Sequence, residues 1–293
     1  MASLNYVPAL AKLSYAYYVN PAYVLCGGFI VSAFAAIILI LGIWRMYRYV
    51  KPSLGEVRAN LIKAFFYTII DEFIIHRNLG RCKPEWGRWI LHQMVLWGMV
   101  ILVACTGYDA IAEHEEMLAC GAVAGPVPAP LWFLKALGLS QTSLNGLYAC
   151  AVVMHPLYDP VKVFYNVGAA LLLVGTIGLL VRRFTNRYAR ECVIEYDWYL
   201  LILLTIVAVT GVLAEALRLI AVHVFYMYGT PAAGLAAALP IFYAGLVFYC
   251  IHLAAVTVLF VTIPFTKSAH VVYRFIAMLL VRYRGVKKIE VYL

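Results

Sequence analysis

The sequence predicts an all-α integral membrane protein: a bundle of five transmembrane helices, with the N-terminus outside and the C-terminus in the cytoplasm. Three observations predict it. Of the 293 residues, 65% are hydrophobic and 13% charged, and the mean hydropathy is +0.88; a soluble domain carries roughly 25% charged residues. No Lys, Arg, Asp or Glu occurs between Lys12 and Arg45, from Trp89 to Tyr108, from Val163 to Val181, or from Leu219 to Thr266, and about 20 apolar residues suffice for a helix to cross a bilayer. All 23 Lys and Arg residues except Lys12, Lys135, Lys162 and Arg218 lie in segments 45–88, 182–190 and 267–288, the asymmetry that marks cytoplasmic loops.

The first span, 22–44, follows Asn20 and Pro21 and is stopped by Arg45. The inside loop, 45–87, contains VRANLIKAFFYTIIDEF, whose charges at 58, 63, 71 and 72 are spaced loosely like one face of a helix lying among headgroups. RNLGRCKPEWGR after it is basic and irregular, which also suits a docking surface for a cytoplasmic partner. The second span, 88–110, carries His92 near its inner end and runs into the acidic residues Asp109, Glu113, Glu115 and Glu116. The outer loop, 111–162, holds the Pro-rich stretch GPVPAPLW, a loop signal. Residues 136–158 are apolar enough to be weighed as a sixth span. Crossing there would leave RRFTNRYAR outside and break the charge asymmetry, so this stretch is read as an outer loop with an interfacial helix. The third span, 163–181, ends at Arg182 and Arg183; the fourth, 197–219, contains Glu215 and Arg218; the fifth, 240–265, contains His252. The tail VVYRFIAMLLVRYRGVKKIEVYL mixes apolar residues with Arg and Lys as a surface-lying helix does. All of it forms a single membrane domain, 1–293, in the cell membrane.

Several classes are excluded. Short strands of alternating polarity are missing, so a β-barrel does not fit. The formal charge of +9 is accounted for by the cytoplasmic segments and predicts no nucleic-acid partner. A transporter built from inverted repeats would halve, and five spans without a repeat do not. The first 20 residues lack a basic-then-apolar pattern, so no cleavable signal is expected. Seven cysteines include no Cys-x-x-Cys, which argues against covalent haem or a resident iron–sulfur cluster. Cys120 and Cys150 share the outer side, where a disulfide or two free thiols both remain open.

The histidines carry the functional signal. His252 and His270 lie 18 residues apart; on one continuous helix that is five turns, which puts both imidazoles on one face about 27 Å apart. His92 follows Arg88 at the inner end of the second span, and His270 follows Pro264 and Lys267 at the inner end of the fifth. Two imidazoles at one level on different helices are what bis-histidine ligation of a b-type haem requires, although interfacial histidines also serve as plain hydrogen-bonding groups. His252 falls in the outer half of the hydrocarbon, where an unligated imidazole is costly. Its partner is open among His114, His155 and His223, with His155 in VVMHPLYDPVK preferred; without a partner the chain holds one haem b rather than two. His76 reads as an ordinary residue of the inside loop. Glu215 and Arg218, three apart on one helical surface, are either a mutual ion pair or the proton-accepting edge of a quinone pocket. Lys162 either snorkels to the headgroups or bonds a quinone carbonyl.

These residues resemble a known family. HLAAVTVLFVTIPFTKSAHVVYR is similar to the last helix of the gamma subunit of respiratory nitrate reductase, where two histidines and a Pro-Phe turn give one ligand to each of two b haems. RWILHQMVLWG resembles that family's second helix and NVGAALLLVGTIGLLVRR its third. DWYLLILLTIVAVTGVLAEALR, HPLYDPVK and the long outer loop resemble more the membrane subunits attached to heterodisulfide-reductase-like iron–sulfur proteins (the DsrM branch). The likeness covers about 88–274. One departure matters: the nitrate-reductase type has a second histidine ten residues after the first, and here that position is Leu102. Lys162 corresponds to a lysine of that family's quinone pocket.

The resemblance implies an electron-transfer subunit of an oxidoreductase complex. It would pass electrons between menaquinol and a cytoplasmic iron–sulfur subunit docked on the basic inside face, with other membrane or outer-side subunits completing the complex. Sulfite or sulfur-compound reduction is the first expectation for the whole complex, nitrate-type quinol oxidation the second, and a non-redox membrane anchor or transporter the rival from another class.

Overall fold

The computed structural model describes residues 9, 12–19, 21–74, 86–119, 162–187 and 195–287. Its α-helices, in chain order, are α1 (Tyr15–Tyr18), α2 (Pro21–Val50), α3 (Leu61–Thr68), α4 (Trp86–Ala119), α5 (Lys162–Thr185), α6 (Glu195–Met227), α7 (Pro231–Thr262) and α8 (Ala269–Arg284). Among the described residues five stretches are long and apolar enough to cross a membrane: Cys26–Ser53, Trp86–Tyr108, Val163–Thr185, Asp197–Met227 and Pro231–Phe265. The chain is a multi-pass membrane protein of the all-α class. Among the described residues the only β feature is an isolated antiparallel bridge between Leu54 and Val286. A helix satisfies its own backbone groups where no water can, so uncharged sequence takes this form in lipid.

The helix ends differ from those expected. α4 continues through the acidic run to Ala119, beyond the apolar span. α7 begins at Pro231 and takes Pro240 into its interior, nine residues before the expected start at 240; a proline is tolerated inside a membrane helix because its neighbours re-satisfy the freed carbonyl. Residues 136–158, Cys120 and Cys150 lie outside the described residues, as does the irregular part of the 45–87 loop.

The chain divides into two compact units: Met1–Phe29, Gln93–Gly178 and Leu204–Val256 form the first, and Ile30–His92, Leu179–Leu203 and Thr257–Leu293 the second. In the first, Leu13 and Tyr15 join Ala214, Ala221, Val222 and Phe225 of α6 and Ala238 and Phe242 of α7 in one buried cluster. Lipid offers no hydrophobic drive for helices to associate, so close packing has to hold them. Small residues permit it. A Cβ on Gly98 of α4 would stand 2.6 Å from the Leu172 nitrogen and 2.9 Å from the Gly168 carbonyl of α5, so that pair meets nearly backbone to backbone.

The second unit carries a small folded cap. The Asn60 side chain accepts a hydrogen bond from the Ile62 N–H at 2.8 Å and starts α3, whose Ala64 and Thr68 are buried. A π-helical turn, Ile69–Ile74, follows. α3 packs on α8, with Phe65 edge-on to Phe275 at 5.7 Å and Asp71 ion-paired with Arg282 at 2.8 Å. The ends are laced by backbone bonds from Gly55 to Gly285 (3.0 Å), Arg58 to Tyr283 (2.9 Å) and Lys287 to Ser53 (3.1 Å). Gly285, at φ +70° and ψ 179°, turns the chain out of α8 into that lacing.

α7 and α8 are not a single helix: α7 stops at Thr262, Ile263–Phe265 form a 3-10 turn, and α8 starts at Ala269. Pro264 has no N–H to continue the α pattern and disfavours helical geometry in the residue before it. The Lys267 ammonium then pairs with the Asp197 carboxylate, 2.7 and 2.8 Å from its two oxygens. His252 and His270 therefore stand on separate helices, and the five-turn relation does not govern them.

Candidate functional site

In the first unit α6 builds a cradle for His252. Val207, Thr210 and Gly211, at i, i+3 and i+4, share one face of the helix. The His252 Nδ1 lies 2.9 Å from the Val207 carbonyl and 3.4 Å from Thr210 Oγ1, which itself donates to the Ile206 carbonyl at 2.7 Å. A carbonyl oxygen only accepts, so Nδ1 carries the hydrogen. In the neutral ring Nε2 is then the lone-pair nitrogen, the form in which histidine binds a metal. Gly211 makes the close approach possible: a Cβ there would stand 2.9 Å from His252 Cε1 and 3.1 Å from Nδ1.

In the second unit His92 is half-buried near the start of α4, and His270 is exposed in the first turn of α8. The His270 Nδ1 donates to the Lys267 carbonyl. Two of the predicted ligands thus share a device, an Nδ1–H fixed by a main-chain oxygen. Among the described residues no three of His, Cys, Asp and Glu gather as a metal site, so these histidines are read singly or in pairs. Leu102, the position of the nitrate-type second histidine, packs against α5, where its Cγ would lie 3.1 Å from a Cβ on Gly168. His223 is exposed on α6, His114 falls within α4, and His155 and His76 lie outside the described residues. Lys162 is the first residue of α5.

Glu215 and Arg218 are half-buried on α6, one turn beyond the His252 cradle. Sequence reasoning missed what surrounds them. The Arg218 guanidinium carbon lies 5.9 Å from the centre of the Tyr15 ring, a cation–π approach. Tyr15 stacks on Tyr249 at 4.5 Å and packs on Phe242 at 5.2 Å, and its hydroxyl donates to the Ala214 carbonyl. A Cβ on Gly245 would stand 2.7 Å from that hydroxyl. Burial pushes the Tyr15 phenol well up, with Arg218 pulling the other way. Nearby, Tyr18 meets Tyr243 hydroxyl to hydroxyl at 3.5 Å, and burial plus that contact push it up to about 12. The cue in the sequence was SYAYYV, a tyrosine-dense stretch just before the first span.

A carboxylate and a guanidinium walled by phenols can seat a polar ring and take up a proton; imidazoles held in one tautomer can ligate iron. The reading rests on this chemistry, since no family model, curated protein or solved structure matches the chain.

Proposed function

We propose that this protein is the haem b membrane subunit of a respiratory complex, passing electrons between menaquinol and a cytoplasmic heterodisulfide-reductase-like iron–sulfur subunit. The observation that carries the reading is the setting of His252, whose Nδ1–H is donated to the Val207 carbonyl of the facing helix beside the space that Gly211 leaves. That bond fixes ring orientation, selects the tautomer and raises the basicity of Nε2. In this reading His92 with His270 would hold one b-type haem, and His252 would hold a second with His155, which lies outside the described residues.

Haem held in this way supplies a reversible one-electron couple whose potential the surroundings tune. The chain's own residues do the rest. Val207 and Lys267 hold imidazoles by their carbonyls, and Gly211 keeps space beside the His252 ring. Glu215 takes a proton released when a quinol is oxidised, Arg218 steadies the carboxylate, and Lys162 bonds the quinone carbonyl. The basic loop and tail face the cytoplasm and receive the iron–sulfur partner, consistent with the positive charge of segments 45–88 and 267–288.

The test is optical. Purified protein reduced with dithionite should show a sharp α band and a red-shifted Soret band, and pyridine haemochromogen assay should give one or two haems b per chain. His252→Ala should remove one haem, and His92→Ala or His270→Ala the other. Colourless protein from haem-replete cells would overturn the proposal.

A further inference from the structure

Trp44, Arg45, Arg48 and Tyr49 line a shallow pocket at the C-terminal end of α2. All four are exposed, and the Arg48 guanidinium carbon lies 4.9 Å from the centre of the Trp44 ring. That stacking holds one guanidinium over an indole, with Arg45 three residues away on the adjoining surface. No carboxylate lines the pocket.

Below it runs a stripe of exposed side chains: Ile30 (71%), Phe34 (43%), Ile37 (58%), Leu41 (58%) and Trp44 (56%). The steps are four, three, four and three residues, so these side chains and Arg48 share one face. The helix uses a different face for packing, where Ala35 is buried and a Cβ on Gly42 would run into Tyr273. An apolar lane as long as an acyl chain therefore leads to an aromatic ring, the guanidinium stacked on it and a second guanidinium three residues away.

We propose that this is a binding site for one anionic glycerophospholipid, with its phosphate held by Arg45 and Arg48 and an acyl chain along Ile37, Leu41 and Trp44. The charges select the occupant. A zwitterionic lipid would bring an ammonium group to a pocket that has no carboxylate, and a planar guanidinium pairs with phosphate oxygens two at a time. The inference does not depend on haem or quinol.

Native mass spectrometry of the full chain, released from nanodiscs of mixed phosphatidylglycerol and phosphatidylcholine, tests it. Each basic side chain near an anionic lipid contributes about fivefold in affinity, so the wild type should retain phosphatidylglycerol roughly thirtyfold over phosphatidylcholine. Arg45→Gln/Arg48→Gln should bring the ratio close to one, while Lys63→Gln, on exposed α3, should leave it unchanged. Unaltered preference in the double variant, or an equal loss in Lys63→Gln, would overturn the site. So would retention of inorganic phosphate or glycerol 3-phosphate as strongly as lipid, or the appearance of a second chain in place of lipid. Should the double variant not fold, quenching of wild-type Trp44 fluorescence by brominated lipids, taken as the difference from Trp44→Phe, decides the matter. Brominated phosphatidylglycerol must quench more than brominated phosphatidylcholine, and equal quenching refutes the proposal.

Discussion

Replacing Gly211 with alanine probes the His252 cradle by one methyl group. That Cβ would stand 2.9 Å from Cε1, 3.1 Å from Nδ1 and 3.7 Å from Nε2 of His252, whereas carbon atoms rest at about 3.5–4.0 Å. The imidazole therefore has to withdraw by roughly 0.6–1 Å. Its 2.9 Å bond to the Val207 carbonyl then stretches beyond good hydrogen-bond length. Losing that bond costs about 0.5–1.5 kcal/mol and the crowding about 1–3 kcal/mol. Alanine's better helix propensity offsets up to about 1 kcal/mol. The net expectation is about 1–3 kcal/mol of destabilisation, with a larger consequence for ligation, since the ring loses the contact that fixes its tautomer. Haem content and reduced-minus-oxidised spectra read this directly. Gly211→Ala should lose the haem that His252→Ala loses and keep the one that depends on His92 and His270. Gly27→Ala, where nothing lies within 4 Å of the new Cβ, should change neither. Full haem content with an unshifted spectrum in Gly211→Ala would show that the cradle does not position the ring.

The second unit and the N-terminal segment supply further tests. Gly285→Ala forces a side chain into a backbone region that is essentially glycine's own, at φ +70° and ψ 179°. It should destabilise the cap by about 1–3 kcal/mol, read as a lower thermal midpoint in mild detergent. Tyr15→Phe removes the hydroxyl donated to the Ala214 carbonyl and should cost about 1 kcal/mol; unchanged thermal stability would mean the segment is held by its ring contacts alone. Alkaline pH should loosen the same region. The Tyr18 pKa is raised from 10.0 to about 12, so the folded form keeps a proton that the unfolded form has shed. Its contribution is complete below pH 10 and declines as pH rises toward about 12. Tyr18→Phe should flatten that decline in the thermal midpoint, and an identical slope in both proteins would assign it to other groups.

The membrane helices were legible because hydropathy and charge act on each segment separately: about 20 uncharged residues become a helix in lipid whatever their neighbours are. The helix ends were less so. Pro240 reads as a start and proves to be interior, while Pro264, at the inner end of the fifth span as expected, lies in the 3-10 turn where the α-helix has already stopped. Each has the same ring; what differs is whether packing around the freed carbonyl compensates, and that is a tertiary property. Contacts between distant segments were not legible at all. Tyr15 reaches Ala214 across 199 positions, and His252 reaches Val207 across 45.

That difference changes what the histidine spacing can be asked to prove. With a proline turn between them, 18 residues no longer set the relation of His252 to His270. What survives is local and chemical. His270 owes its fixed nitrogen to a carbonyl three residues before it, supplied by the same turn that breaks the helix. His252 owes its own to the facing helix, at a point where a glycine admits the ring. Two unrelated backbone settings leave the same nitrogen basic. A hydrogen bond from Nδ1 fixes the tautomer of any neutral histidine, so what separates a ligand from a packing residue is a partner at Nε2, and the haem content of the His252 and His270 variants reads that directly.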